Sequence, residues 1–399
     1  MKPNVSKMML LIAVILMDLL AGMEFDLFVP SFPELQTQFN LSPFLVETLL
    51  SINFIGFCLS LFFVGSLADR YGRKPIITLG ILIFIIGSIF CLWGSTYLFL
   101  ILGRFLQGIG IAAPAILSFL IIADAYPLKQ QQYLMAMLNG LMNAAAGGAP
   151  VIGSYITLYF HWQGNFLILL LLGLFTFMFT LLFIPSYKRP ETKETLSWRG
   201  YIPLFQSRPL VLLLTFIIMN FVPYWVFVGM SPLLYIKDLH VSLSHFGYYQ
   251  GALALTFGLG SIAFGFILNK FDQKKMLYVS GYIFLGGLIS IAWITVQNSH
   301  NPLLITVAFL PFIIGQIIPS AILHTLCLNF MPQAKGRVSA VLQGGRLILC
   351  ALSLQLAGFY YSGTFQNIGI ILSSFMLIVV ITIFLVINNR VLMKRLLEH

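Results

Sequence analysis

Three carboxylates stand in one apolar run, for Asp18, Glu24 and Asp26 punctuate the stretch from Met8 to Val29. An ionisable side chain inside a hydrocarbon-spanning segment costs about 2.5–3.5 kcal/mol on insertion scales, so its presence there points to work that only such a group can do. A buried carboxylate can take up and release a proton. Desolvation raises its affinity for that proton, and a neighbouring cation lowers it. Two guanidiniums, Arg104 and Arg346, sit in similar runs and stay protonated at any ordinary pH. On one straight helix, at about 100° per residue, Asp26 falls about 80° around from Asp18 and ~12 Å along. Both then border one cavity. Glu24 points about 160° away from Asp26 and reads as structural or as lying near an interface.

Positioning these groups falls to helices in lipid. Of 399 residues, 59% are hydrophobic and 9% charged, against roughly 25% charged in an ordinary soluble domain. A soluble fold of this length has nowhere to bury so much apolar surface, so lipid must cover it. Hydrocarbon offers no water to the backbone, which makes the spans helices rather than open strands. Apolar runs of spanning length predict twelve of them, at about 8–29, 43–67, 76–95, 97–124, 134–158, 163–185, 209–234, 246–268, 276–297, 302–328, 337–361 and 367–388. The first is expected to continue as helix past Pro30 and Pro33 toward Leu35. Lys2 and Lys7 ahead of it imitate a signal peptide. Asp18 interrupts its apolar core and no small-residue cleavage site follows, so it reads as a retained span.

Charge orients the spans. With Lys237 opposite and Arg104 and Arg346 inside spans, every other basic residue falls on one side if the segments alternate. That places both termini in the cytoplasm. The longest polar stretch predicts a central cytoplasmic loop at 186–208 between six-helix bundles at 1–185 and 209–399. The halves echo each other. Gly65 to Tyr71 (GSLADRY) is followed 200 residues on by Gly265 to Phe271 (GFILNKF), and Ala136 to Gly140 (AMLNG) 204 on by Ala340 to Gly344 (AVLQG). Two echoes at nearly one offset indicate a duplicated six-helix unit, a layout in which the binding site lies near the midplane between halves.

The loop after the second span reads GSLADRYGRKP, from Gly65 to Pro75. Gly65 is expected to permit close helix approach and Gly72 a tight turn. Asp69 lies within the run, Arg70, Arg73 and Lys74 anchor the cytoplasmic face, and Asp124 is placed to partner Arg73. This run closely resembles the signature loop of the major facilitator superfamily. GRFLQG (Gly103 to Gly108) resembles a helix 4 motif associated with proton transfer in drug:proton antiporters. GAPVIG, containing Gly148, Pro150 and Gly153, resembles their helix 5 antiporter motif, with Ala149 where the family usually has Gly. WQGNF (Trp162 to Phe166) matches a common pattern of the multidrug, chloramphenicol and bicyclomycin resistance group. Asp18 and Asp26, followed by Pro30, match two acidic positions of that group, and Glu24 matches none.

The resemblance implies an all-α membrane protein of twelve transmembrane helices in two pseudo-symmetric six-helix bundles, the major facilitator fold. It implies a proton-coupled antiporter of the bacterial inner membrane that exports small organic molecules or drugs and works as a monomer. In the family the aspartate matching Asp69 faces the start of helix 11, here near Gly336, where a helix N-terminus favours a carboxylate. Asp26 is expected to be the proton-linked group, Arg104 its electrostatic tuner at similar depth, and Asp18 the residue that meets substrate. Glu24, Asn53, Gln107, Asn139, Asn220, Tyr224, Trp225 and Arg346 are expected to share the substrate cavity with Asp18. Arg346, too deep for a loop charge, either pairs with a helix 1 acid, receives an anionic substrate group or snorkels toward the cytoplasm. A siderophore or metabolite transporter, in either direction, is the alternative on the same fold.

Other classes fit less well. The basic residues sit in short clusters between apolar runs, where topology needs them, which argues against nucleic acid. Cys58, Cys91, Cys327 and Cys350 lie in apolar segments without a CxxC pair or a nearby histidine cluster, so neither metal nor disulfides are expected. A membrane-embedded transferase would need acid–base or nucleophile clusters near a headgroup, and the histidines are scattered. There is no Walker motif. No cofactor is expected beyond the proton gradient.

Overall fold

A computed structural model of the chain describes residues 7–186, 201–267 and 271–397. Most of the expected central loop at 186–208, and Asn269 and Lys270 of the second echo, lie outside the described residues. Every regular element described is helical. α1 (Lys7–Met23) leads through a turn and a 3-10 segment (Val29–Ser31) to the short α2 (Phe32–Gln38). Then come α3 (Pro43–Tyr71), α4 (Arg73–Trp93), α5 (Tyr97–Ala125) and α6 (Leu128–Phe183). The later elements are α7 (Ile202–Gln206), α8 (Arg208–Pro232, prolonged by a π-helical turn Leu233–Asp238), α9 (Leu243–Ile267) and α10 (Gln273–Gln297). α11 (Pro302–Asn329), α12 (Lys335–Tyr360), α13 (Phe365–Asn388) and α14 (Arg390–Leu397) complete the chain.

Nine stretches among the described residues are long and apolar enough to cross a membrane. Large apolar side chains such as Phe63, Phe175, Val296 and Leu352 remain exposed along them, as lipid-facing positions must. The protein is thus a multi-pass membrane protein.

Two boundaries differ from the sequence expectation, each for a visible reason. α1 ends at Met23 instead of running on past Pro30. Pro30 lacks the N–H that a longer helix would donate toward Asp26, and Glu24 to Asp26 turn out of the helical path. Hydrogen bonds from Glu24 N to Leu20 O (3.1 Å) and Leu27 N to Met23 O (3.0 Å) carry the backbone through that turn. The fifth and sixth predicted segments run together as α6, 56 residues with a break at His161 (φ 58°, ψ −174°). Glu34 of α2 holds the break. One carboxylate oxygen accepts the Trp162 backbone N–H (3.0 Å), and the other lies 2.9 Å from His161 Nδ1. Trp162 Nε1 donates to Gln38. An acidic side chain from a separate element therefore caps the new helix start, where exposed N–H groups favour negative charge.

The chain parts into two compact units, Met1–Glu194 with Leu243–Gly251, and Thr195–Ser242 with Ala252–His399. In the first, α1, α3, α4, α5 and α6 enclose an apolar core that includes Val14, Met17, Ile77, Ile81, Leu117 and Leu138. A Cβ at Gly153 would fall on the Leu27 carbonyl, so only glycine lets α6 close on the turn after α1. In the second unit α8 packs on α12 and α13, and α10 on α11 and α13. Phe309 stacks on Phe227 (centroids 4.7 Å) and Phe312 (5.4 Å), and Phe284 lies 5.2 Å from Phe312. α14 buries Leu392, Met393 and Leu396, while Arg395 donates to the Phe330 carbonyl (2.6 Å) and lies 4.0 Å over its ring.

Candidate functional site

The first unit carries a buried polar network at the point where α1 gives way to its turn. Arg104 and Gln107 are one helical turn apart on α5 and so share a face. Arg104 Nη1 lies 2.8 Å from Glu24 Oε1 and donates to Gln107 Oε1 at 2.7 Å. Its Nε donates to the Leu49 carbonyl of α3 (3.3 Å), and its guanidinium lies 4.0 Å over the Phe28 ring. Asn53 Nδ2 bridges Glu24 Oε1 (2.6 Å) and the Arg104 carbonyl (3.0 Å). Gln107 Nε2 donates to Ser88 Oγ on α4 (2.8 Å). Glu24, Asn53, Ser88, Arg104 and Gln107 are all completely buried. A desolvated ion pair needs such extra hydrogen bonds to offset the loss of water.

This geometry corrects the sequence expectation. The ion-pair partner of Arg104 is Glu24, not Asp26. The 100° rule assumed one straight helix, and the chain leaves that helix at Met23, which swings Glu24 inward. Glu24, which also read as structural, takes such a place, and Asn53 and Gln107 are its fellow ligands around the pair. Asp18 and Asp26 are buried as well, at 0% and 3% exposure. Neither oxygen of Asp18 meets a hydrogen-bond partner by geometry, although Ser118 of α5 lies alongside, and Asp26 Oδ1 has none.

A fourth buried acid escaped the sequence reading. Glu47, the fifth residue of α3, is completely buried, and neither oxygen has a hydrogen-bond partner. It lies inside a predicted span, so the cost argument that singled out helix 1 applies to it equally.

The signature run forms the α3–α4 junction. Gly72 adopts φ 89° there, a conformation that other residues rarely take. Arg73 meets Asp124 at 2.8 Å, Lys74 Nζ donates to the Leu181 carbonyl at the end of α6 (2.6 Å), and Arg70 lies 5.2 Å over the Tyr71 ring. Asp69 is exposed. Gly65 departs from expectation, because a Cβ there would meet nothing within 4 Å, so no close approach requires glycine at that point. In the helix 5 motif, Gly148 is nearly as open, Pro150 lies inside α6 with its carbonyl accepting from Ser154 (2.8 Å), and Gly153 is the close approach.

The second unit holds the remaining candidates. Asn220 is 7% exposed, its Oδ1 has no partner, and its carbonyl accepts from Gln316 (2.5 Å). Phe221, Trp225 and Tyr224 form an aromatic row on α8, with centroids 5.9 and 5.8 Å apart. Arg346 of α12 lies 4.8 Å over Phe221 and donates to Gln343 (3.2 Å). The Asn139 side chain lies outside the described residues.

Buried titratable groups on membrane-crossing helices are functional candidates by their cost alone, and the comparisons give the class. The sequence profile of the Major Facilitator Superfamily matches residues 14–354, and the chain belongs to that family. It is 29% identical over 288 residues to the multidrug resistance protein MdtL of Escherichia coli (strain K12 / DH10B), covering 69% of this chain and 70% of that one. Among solved structures, a D-xylose-proton symporter superposes with TM-score 0.75 at 15% identity, covering 95% of this chain and 97% of the other. The nucleoside transporter NupG gives 0.74 at 14% identity, covering 95% and 99%. The protein is a transporter of the facilitator fold.

Proposed function

We propose that this transporter is a proton-coupled antiporter that exports small organic molecules or drugs across a bacterial inner membrane. The observation that carries the reading is the set of buried carboxylates beside a satisfied ion pair. Glu24 and Arg104 lock the turn after α1, while Asp18 and Asp26 sit nearby in the chain with unpartnered oxygens. Asp26 carries the proton, Glu24–Arg104 holds the turn that presents it, and Asp18 meets substrate. A carboxylate that takes protons when one side of the membrane supplies water, and gives them up to substrate binding, couples the two fluxes by mutual exclusion. The antiporter-like run around Pro150 and the likeness to a multidrug resistance protein support export. Twelve spans in two six-helix bundles, with 186–208 and both termini in the cytoplasm and the chain monomeric, complete the proposal. On this reading Asp69, Arg70, Arg73 and Lys74 serve conformational switching.

Ala149, where the antiporter pattern has Gly, favours the second reading, a metabolite or siderophore transporter on the same fold. Proteoliposomes test the first reading. With an imposed pH gradient, Asp26→Asn is expected to abolish transport while substrate binding persists and loses most of its pH dependence. Full gradient-driven transport by this variant would remove Asp26 from the proton path.

A further inference from the structure

Arg104 and Arg346 differ in how their charge is met. Arg104 has a carboxylate, an amide oxygen and a backbone carbonyl. The structure gives the Arg346 guanidinium one side-chain acceptor, Gln343 at 3.2 Å, and its buried Nε has none. The groups around it are the Phe221 face on α8, His324 and Cys327 on α11, and Cys350 on its own helix. None carries negative charge as a neutral imidazole, thiol or ring.

Among the described residues the second unit offers no carboxylate for the role. Its described acids are Asp238 and Asp272. Asp238 accepts the Tyr361 hydroxyl. Burial first, then that bond, pushes the Tyr361 phenol above its ordinary pKa, so it donates as a neutral hydroxyl. Asp272 caps α10, accepting from the backbone of Lys274 (2.8 Å) and Lys275 (3.4 Å). A half-buried guanidinium whose Nε is shut off from solvent and whose one side-chain acceptor is neutral gains from an anion that joins it. Its planar fork suits a carboxylate or sulfonate, and the aromatic row beside it suits a flat apolar body.

We propose that Arg346, with Phe221 and Trp225, forms the recognition site for the acidic group of an aromatic organic acid, which biases the transporter's substrates toward anions and zwitterions. This rests on the transporter reading above.

Three probes of one shape and different charge test it on the purified full chain: 2-naphthoate, neutral 2-naphthamide and cationic 2-naphthylmethylammonium. Naphthoate is expected to bind the native protein, measured by calorimetry and thermal shift. In R346Q its affinity should fall about 10- to 100-fold, the loss typical of a charged hydrogen bond, with naphthamide unchanged and R346K intermediate. Unchanged naphthamide binding and an unshifted elution volume show that the variant is folded. Naphthoate binding that is absent in the native protein, or that survives R346Q unaltered, overturns the proposal. So does restoration of R346Q by a second substitution, Asp26→Asn or Asp18→Asn, which would assign the guanidinium to a protein carboxylate. Proton movement driven by neutral or cationic compounds in liposomes would uphold the transporter reading even then, and its absence for all three charges would sink that reading instead.

Discussion

Glu24, in the turn after α1, and Glu47, on α3, are both completely buried, yet their environments are opposite. Glu24 faces a guanidinium and an amide, and Glu47 faces no donor. Removing one member of a buried pair strands the other charge, at about 3–5 kcal/mol. Glu24→Leu should therefore lower the unfolding temperature in detergent sharply, whereas Glu47→Leu should leave it unchanged or raise it, since an apolar side chain replaces an unpartnered polar one. Equal losses in the two variants would mean that Glu47 has a partner of its own. At this scale the sequence reading found most of the costly groups, missing Glu47, and did not find their pairing. Asp18, Asp26, Arg104 and Arg346 stood out because charge in an apolar run is conspicuous, and the choice between Glu24 and Asp26 turned on where α1 stops. The signature loop was legible to the level of a contact, for Arg73 does meet Asp124.

Long apolar helices were legible as elements because their length is dictated by lipid, though nine stretches of spanning length stand among the described residues where twelve were expected, and breaks inside or beyond them were not legible. The run of 56 residues in α6 changes direction at His161 through a left-handed residue that composition does not announce. The device that fixes it, Glu34, lies 127 residues away in the chain. Glu34→Ala should cost about 0.5–2 kcal/mol, the usual worth of a helix cap, and Glu34→Gln should recover part of it. The effect should vanish in a background where His161 and Trp162 no longer present their nitrogens to that position. An Ala variant as stable as the parent would show that the break is set by α6 alone. Gly153 belongs to the same lesson. Its motif was visible, and its reason, the Leu27 carbonyl pressed against it, required the turn that sequence periodicity had straightened.

Across the whole molecule the two units are unlike in their interior charge. Away from helix ends, the first holds Asp18, Glu47 and Arg104, with Glu24 and Asp26 in the turn, and the second holds only Arg346 among the described residues. That imbalance has an electrical consequence. If a proton travels inward on the first unit's acids while an organic anion leaves from Arg346, one exchange carries two positive charges inward. Each is worth about 2.3 kcal/mol per 100 mV of membrane potential. A potassium diffusion potential, negative inside, should then accelerate export with no pH gradient at all. The current recorded per molecule should halve for a neutral compound and disappear for a singly charged cation. Currents that ignore the charge of the compound would show that the units do not divide the traffic in this way.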